Sequence, residues 1–269
     1  MASSDPVYLR VVADIRRQIV DGSLPPGAPI PSRAQLTRKY GIGETAARHA
    51  LRVLAAEGLI VGRVGSGHYV RARPALVPLH RWRFPGRSFP FAADLHSQGA
   101  HVTWHRRTET VPASPDIAHR LHLGESAPLT RTRYVFRGDG RPVQLATSYE
   151  PARSGASAAE ETARDAAPGE PLREGPARET AFREAARGAA PRGLIPRLSA
   201  SGVKVTEVVE QVYTRVPEPA EIDALALPAG VHVLHVERTH WAGDRPVETS
   251  DIVIPGDRFR LVYSHSLLP

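Results

Sequence analysis

Between residues 31 and 58 the chain reads PSRAQLTRKYGIGETAARHALRVLAAEG, and Ala47, Ala50, Leu51 and Leu54 form an apolar stripe of helical period. Thr45, Arg48, His49 and Arg52 recur at i, i+3, i+4 and i+7 on another face. This pattern predicts two short helices joined by a tight turn. Ser32 caps the first, and Gln35 reaches back to the Ser32 amide in a capping box. That helix runs to about Tyr40 and breaks at Gly41, where glycine accepts the left-handed conformation of a sharp turn. Gly43-Glu44 opens the second helix, which runs to Glu57 and stops at Gly58. Upstream, Leu9, Val12, Ile15 and Ile19 predict a helix over 7–21 closed by Gly22, and the four prolines of residues 23–31 predict a rigid connection. Downstream, Leu59-Ile60-Val61 and His68-Tyr69-Val70 flank the turn GRVGSG and predict a two-stranded wing. Gly65 and Gly67 let its tip approach a phosphate backbone or a minor groove, with Arg63 alongside. The glycine-rich turn joins two strands and opens no helix, which sets it apart from a nucleotide-binding loop.

Two helices of this kind predict a helix-turn-helix whose second helix enters the major groove of DNA. A plain helical hairpin with solvated arginines is the alternative for the helices taken alone. The wing behind them favours the first reading.

From residue 88 the pattern changes. FAADLHSQG predicts a helix ending at Gly99, followed by strands near 102–111 and 129–136 with a short helix near 116–121 between them. Gly138-Asp139-Gly140 turns the chain into a strand over 142–149. Residues 203–216 alternate as a strand, 219–225 form a short helix, and strands at 231–241 and 246–254 meet at Gly243-Asp244. The two stretches resemble each other: Pro142 to Pro151 and Pro246 to Pro255 span equal intervals, and Arg133 falls near Arg238. They predict two equivalent halves building one antiparallel sheet with helices on it. Residues 71–87, rich in Pro and Arg, read as a linker in which Trp82 and Phe84 dock on a neighbouring surface. Residues 152–192 are almost wholly Ala, Arg, Glu, Gly and Pro and read as a flexible insertion.

At 269 residues the chain suits two domains: 1–73, a linker at 74–87, and 88–269. The net charge of +7 is concentrated at the front, where residues 1–73 hold 11 Lys and Arg against 5 Asp and Glu. A small basic domain joined to a near-neutral one suits a polyanion at the first and a different partner at the second. The absence of cysteine excludes disulfides, thiol catalysis and a zinc finger. No long apolar run or signal peptide is present, so a cytoplasmic protein with no membrane partner is expected.

YGIGETAARHAL, LAAEGLIVGRVGSGHYV and the upstream GSLPPGAPIPSRAQL closely resemble the N-terminal winged helix-turn-helix of the GntR family of bacterial transcription regulators, over residues 6–71. SFPFAADLHSQG, RTRYVFRGDGRPVQLATSYEP, GLIPRLSASG, VHVLHVERTHWAGDRPVETSDIVI and DRFRLVY resemble the UTRA ligand-binding domain of its HutC subfamily. The resemblance implies an α+β chain in which the winged head precedes an antiparallel-sheet domain of chorismate-lyase type. It implies DNA contacts from Arg33 or Ala34, from Thr45, Arg48 and His49, and from Gly65, Gly67 and His68, to which the residue pattern adds Ser32, Arg52 and Arg63. Two departures stand out. Gly43 and Glu44 occupy positions where the family usually has Ser or Thr and then Arg, and Ala34 stands where Arg is common. A carboxylate there repels phosphate but accepts from a cytosine amino group, so the operator preference is expected to be shifted from the family norm.

In the second domain the resemblance implies a small-molecule effector, often anionic. Arg131 and Arg133 alternate on one strand face and suit a carboxylate or phosphate. Ser88 and Phe89 at a helix start offer backbone amides, and Thr147, Ser148, Arg238, Glu248 and Tyr263 are the remaining candidates. The alternative is that these charges pair across strands. A glutamate common in sugar-responsive relatives is replaced by Ala146, which points to a less polar ligand. No G-x-S-x-G or H-E-x-x-H occurs, and the histidine sets 96, 101, 105 and 232, 235, 240 lack a helix-face spacing with a carboxylate. The sequence therefore predicts no catalytic residue, no metal site and no cofactor. It predicts a regulator, a repressor on family grounds, that binds a double-stranded palindromic operator as a homodimer. An enzyme of chorismate-lyase-like fold and an effector-independent DNA binder are the alternatives.

Overall fold

The computed structural model describes residues 6–72, 75–81, 90–152 and 194–264. The chain divides into two compact units, residues 1–76 with 227–232, and residues 77–226 with 233–269.

In the first unit, α1 (Val7–Val20), α2 (Arg33–Tyr40) and α3 (Glu44–Ala56) precede the antiparallel pair β1 (Ile60–Arg63) and β2 (Gly67–Val70). The stripe of α3 is fully buried, as the sequence predicts, and packs with Val11, Val12 and Ile15 of α1 and Leu36 of α2. On α1 the buried line runs through Val11, Val12 and Ile15 with Tyr8 and Ile19 beside it, so Leu9, expected inside, lies on the exposed flank. The Ser32 hydroxyl accepts from the Gln35 amide at 3.3 Å, and the Gln35 carbonyl accepts from the Ser32 amide at 2.7 Å. Gly41 closes α2 at φ 63°. Tyr40 at the end of α2 donates to Asp14 of α1 at 2.5 Å, with Lys39 at 3.5 Å, so the helix-turn-helix is tied to the helix beneath it.

The second unit is built on a six-stranded antiparallel sheet in the order β4-β5-β6-β9-β8-β7. Its strands are β4 (Val102–Pro112), β5 (Pro128–Gly138), β6 (Arg141–Pro151), β7 (Glu207–Arg215), β8 (Val233–Ala242) and β9 (Arg245–Pro255). The order is symmetric about the β6-β9 ladder, and each half is a strand, a short helix and a hairpin. The helices are α5 (Pro115–Arg120) and α7 (Pro219–Leu225), after α4 (Pro90–Ser97) and α6 (Leu194–Ala200). Each hairpin carries a register shift, at Phe136/Arg137 and at His240/Trp241. Three residues before these shifts stand Arg133 and Glu237, so the structural counterpart of Arg133 is Glu237, and Arg238 lies one position on, facing the other side of the sheet.

One sheet face carries Phe136, Ala146, Val236, Ile252 and Ile254, covered by Phe91 and Leu95 of α4 and by Leu79 and Phe259. On the opposite face, Ile117, Ala118 and Leu121 at α5 pack with Leu129. Part of the expected linker is structured: β3 (Val77–His80) pairs in parallel with β10 (Phe259–Val262), and Leu79 is buried. A four-residue strand containing Pro78 gives too little alternation to be read from sequence. The expected β-strand from residue 203 begins at Glu207. The expectations for Trp82, Phe84 and residues 153–192 lie outside the described residues.

Ser32→Ala should cost about 1 kcal/mol of head stability, since it removes one reciprocal cap bond. Urea unfolding followed by circular dichroism checks this.

Candidate nucleic-acid interface and effector face

With its apolar stripe buried, α3 turns Thr45, Arg48 and Arg52 outward, all three exposed. His49, expected among them, is half-buried, because its ring meets Tyr8 edge-on at 4.3 Å between centroids. Gly43 gives α3 no side-chain cap. Glu44 instead lies between two guanidiniums, 3.1 Å from Arg33 and 4.0 Å from Arg48. Exposed Arg33 and Ser32 at the start of α2 therefore sit beside the first turn of α3.

In the wing, Gly65 and Gly67 adopt φ of 73° and 97°, which only glycine takes without strain. The Arg63 guanidinium lies 4.4 Å from the centre of the Tyr69 ring, and Ser66 and Tyr69 share a 2.5 Å hydroxyl contact. These contacts stiffen the tip and leave Val64 fully exposed. His68 is half-buried on β2.

The effector candidates do not form one cluster. Arg131 and Arg133 face the same way as Thr147, which stands opposite Arg133 in the ladder. Glu109 on β4, missed by the sequence reading, holds both arginines, 2.9 Å from Arg131 and 3.8 Å from Arg133. The hydrogen bond from Arg131, then the charges of Arg131, Arg133 and Arg107, keep the Glu109 carboxyl below its ordinary range. Cross-strand pairing, the alternative reading, thus holds for Arg131 and Arg133. Ser148, Arg238 and Glu248 lie on the opposite face, because neighbours in a strand point to opposite sides. Ser88 and Phe89 lie outside the described residues.

That second face is a buried polar network. Glu210 of β7 accepts from Arg238 at 2.7 Å, from Arg81 at 3.1 Å and from the Tyr263 hydroxyl at 3.3 Å. Glu248 accepts from Ser148 at 2.7 Å and pairs with the His240 ring at 2.6 Å. Burial alone would raise both carboxyls. The nearby Arg238 and Arg81 lower Glu210, and His240, Ser148 and Arg238 lower Glu248.

One histidine-carboxylate group does form among the described residues: ligand atoms of His235, Glu237 and Asp251 lie within 4.8 Å of one another. It joins residues two apart on β8 to the cross-strand partner of Glu237, a spacing that helix-face patterns do not reveal. Its chemistry does not suit a metal. Arg215 donates to His235 Nδ1 at 2.9 Å and 3.1 Å, which leaves Nε2 to carry the proton toward Asp251 at 3.4 Å. Arg120 also occupies Asp251 at 2.9 Å.

Comparison with known proteins agrees with both units. The profile of bacterial regulatory proteins of the gntR family matches residues 7–70, and the UTRA domain profile matches 97–184 and 179–260. A crystal structure assigned to a GntR-family transcriptional regulator is 36% identical, with a TM-score of 0.66 over 98% of each chain. The histidine utilization repressor of Pseudomonas putida is 27% identical over 259 residues, 95% of this chain and 90% of its own. An uncharacterized HTH-type transcriptional regulator of Rhizobium meliloti is 33% identical over 158 residues, 58% of this chain and 62% of the relative's length.

The depressed carboxyls make the second unit sensitive to acid. Glu210, Glu248 and Asp251 all have folded values below their ordinary ones. Their contribution to stability is therefore complete at neutral pH and is lost as pH falls through the folded values. Urea midpoints should be level from pH 7 to about 5 and fall steeply below about pH 4.

Proposed function

This chain belongs to the gntR family of bacterial regulatory proteins, in the branch that carries a UTRA domain, and from that premise we propose that it is a homodimeric, effector-controlled repressor of transcription. It is a DNA-binding regulator rather than an enzyme. The observation that carries the reading is the division of α3 into a buried apolar stripe and an exposed row of Thr45, Arg48 and Arg52 beside a glycine-tipped wing. A two-fold dimer places two such helices on an inverted repeat about one helical turn apart. The Pseudomonas putida relative is named a repressor, which supports repression as the sign.

For the effector we propose the face of β5 and β6 that carries Arg131, Arg133 and Thr147. Glu109 supplies the arginines with an internal carboxylate, and an anionic ligand acts by exchanging with it. Such an exchange releases Glu109 from two guanidiniums, a local electrostatic change of the kind that couples sites by on the order of 1–3 kcal/mol. Of the remaining candidates, Ser148, Arg238 and Glu248 lie in the buried network, the exposed Tyr263 reaches its Glu210 from the edge, and all four serve the frame behind that face. We also propose a cytoplasmic location, consistent with no described helix being long and apolar enough to cross a membrane.

Genomic binding selection with the purified protein, followed by salt titration on the recovered site, tests the reading. A short inverted repeat bound far more tightly than random DNA is expected; equal affinity for all sequences would leave only a non-specific binder. Arg48→Ala should weaken operator binding roughly tenfold or more while leaving the circular dichroism spectrum unchanged. Arg133→Ala should bind the operator as the parent does, yet lose the response to an anion found by screening carboxylates and phosphate esters. An intact response moves the effector site elsewhere.

A further inference from the structure

We propose that Glu44 reads a cytosine in each operator half-site, held for that task between the guanidiniums of Arg33 and Arg48. The proposal rests on the regulator reading above and adds a base to it. Glu44 is the first residue of α3, and the N-terminal residues of a recognition helix are those that meet base edges. Its Oε1 lies 3.1 Å from Arg33 Nη1 and 4.0 Å from Arg48 Nη2, while its side chain remains 64% exposed. The carboxylate is thus localised without being enclosed, and Oε2 is not engaged by either arginine in these contacts.

An ionised carboxylate can only accept hydrogen bonds. In the major groove, guanine offers two acceptors and thymine one, all of which repel it. Adenine sets its N6 donor beside the N7 acceptor. Cytosine alone presents a donor with no acceptor on its own edge. The two flanking guanidiniums offset the repulsion between Glu44 and the phosphates, which explains how an acidic residue is carried at the leading end of a DNA-facing helix. Arg48, one turn further along, brings donors suited to the O6 and N7 of a guanine.

Parallel selections of random duplexes by the full-length parent, Glu44→Ala and Glu44→Gln test this. The parent should prefer cytosine roughly tenfold or more at one position of each half-site. Glu44→Ala should lose that preference at that position alone. Glu44→Gln should move it to adenine, whose N6 and N7 match an amide. If Glu44→Ala still selects cytosine there, or if the parent's matrix shows no such cytosine, the proposal is overturned and the regulator reading stands. If the parent enriches no sequence at all, both fall.

Discussion

The head depends on the close approach of α3 to α1. Ala47 and Ala50 are fully buried and small, and Leu51 and Leu54 fill the space beside them against Val11, Val12 and Ile15. Short side chains let the helices approach one another, and the larger leucines pack beside that contact. With that side of α3 committed to the core, geometry leaves the other side to solvent. The polar row therefore owes its outward direction to alanines and leucines that touch nothing outside the protein. The Asp14-Tyr40 contact and the Ser32-Gln35 box then fix where α2 ends and begins.

The second unit obeys a different rule, the strict alternation of a hydrogen-bonded sheet. Its two halves repeat a strand, helix and hairpin, with register shifts at matching places. Equivalent positions have nevertheless taken opposite chemistry. Glu109, Arg131 and Arg133 form a cationic group in the first half, whereas Tyr213, His235 and Glu237 occupy the corresponding ladder in the second. Tyr213 stacks on His235 at 4.8 Å, and its hydroxyl is pushed up to about 12 by burial and by Glu237.

Much of this was legible in the chain. The α3 stripe, the Gly41 break, the capping box and the wing follow from local rules, because helices and tight turns are decided by residues a few positions apart. The internal repeat showed through the matched prolines. What failed required long-range register. Arg238 aligns with Arg133 in sequence because a one-residue offset hardly alters similarity, yet that offset exchanges the faces of a sheet. Thr147 and Ser148 are neighbours in sequence but point to opposite faces of β6. Glu109 and the His235-Glu237-Asp251 group appear only when β4 is laid on β5 and β8 on β9. His49 had the right helical spacing, but the Tyr8 ring that covers its face comes from a helix forty residues upstream.

The ladder also governs how such a domain can evolve. Adding or deleting one residue in β8 would turn Arg238 and His240 out of the buried network and bring Glu237 in, and one in β9 would exchange Glu248 for Asp251, so lineages can alter these strands by substitution but hardly by length. Length can vary between the ladders. The described pairings of the first half end at Pro151 and those of the second begin at Glu207, so a change of length between these two points leaves every described strand pairing in register.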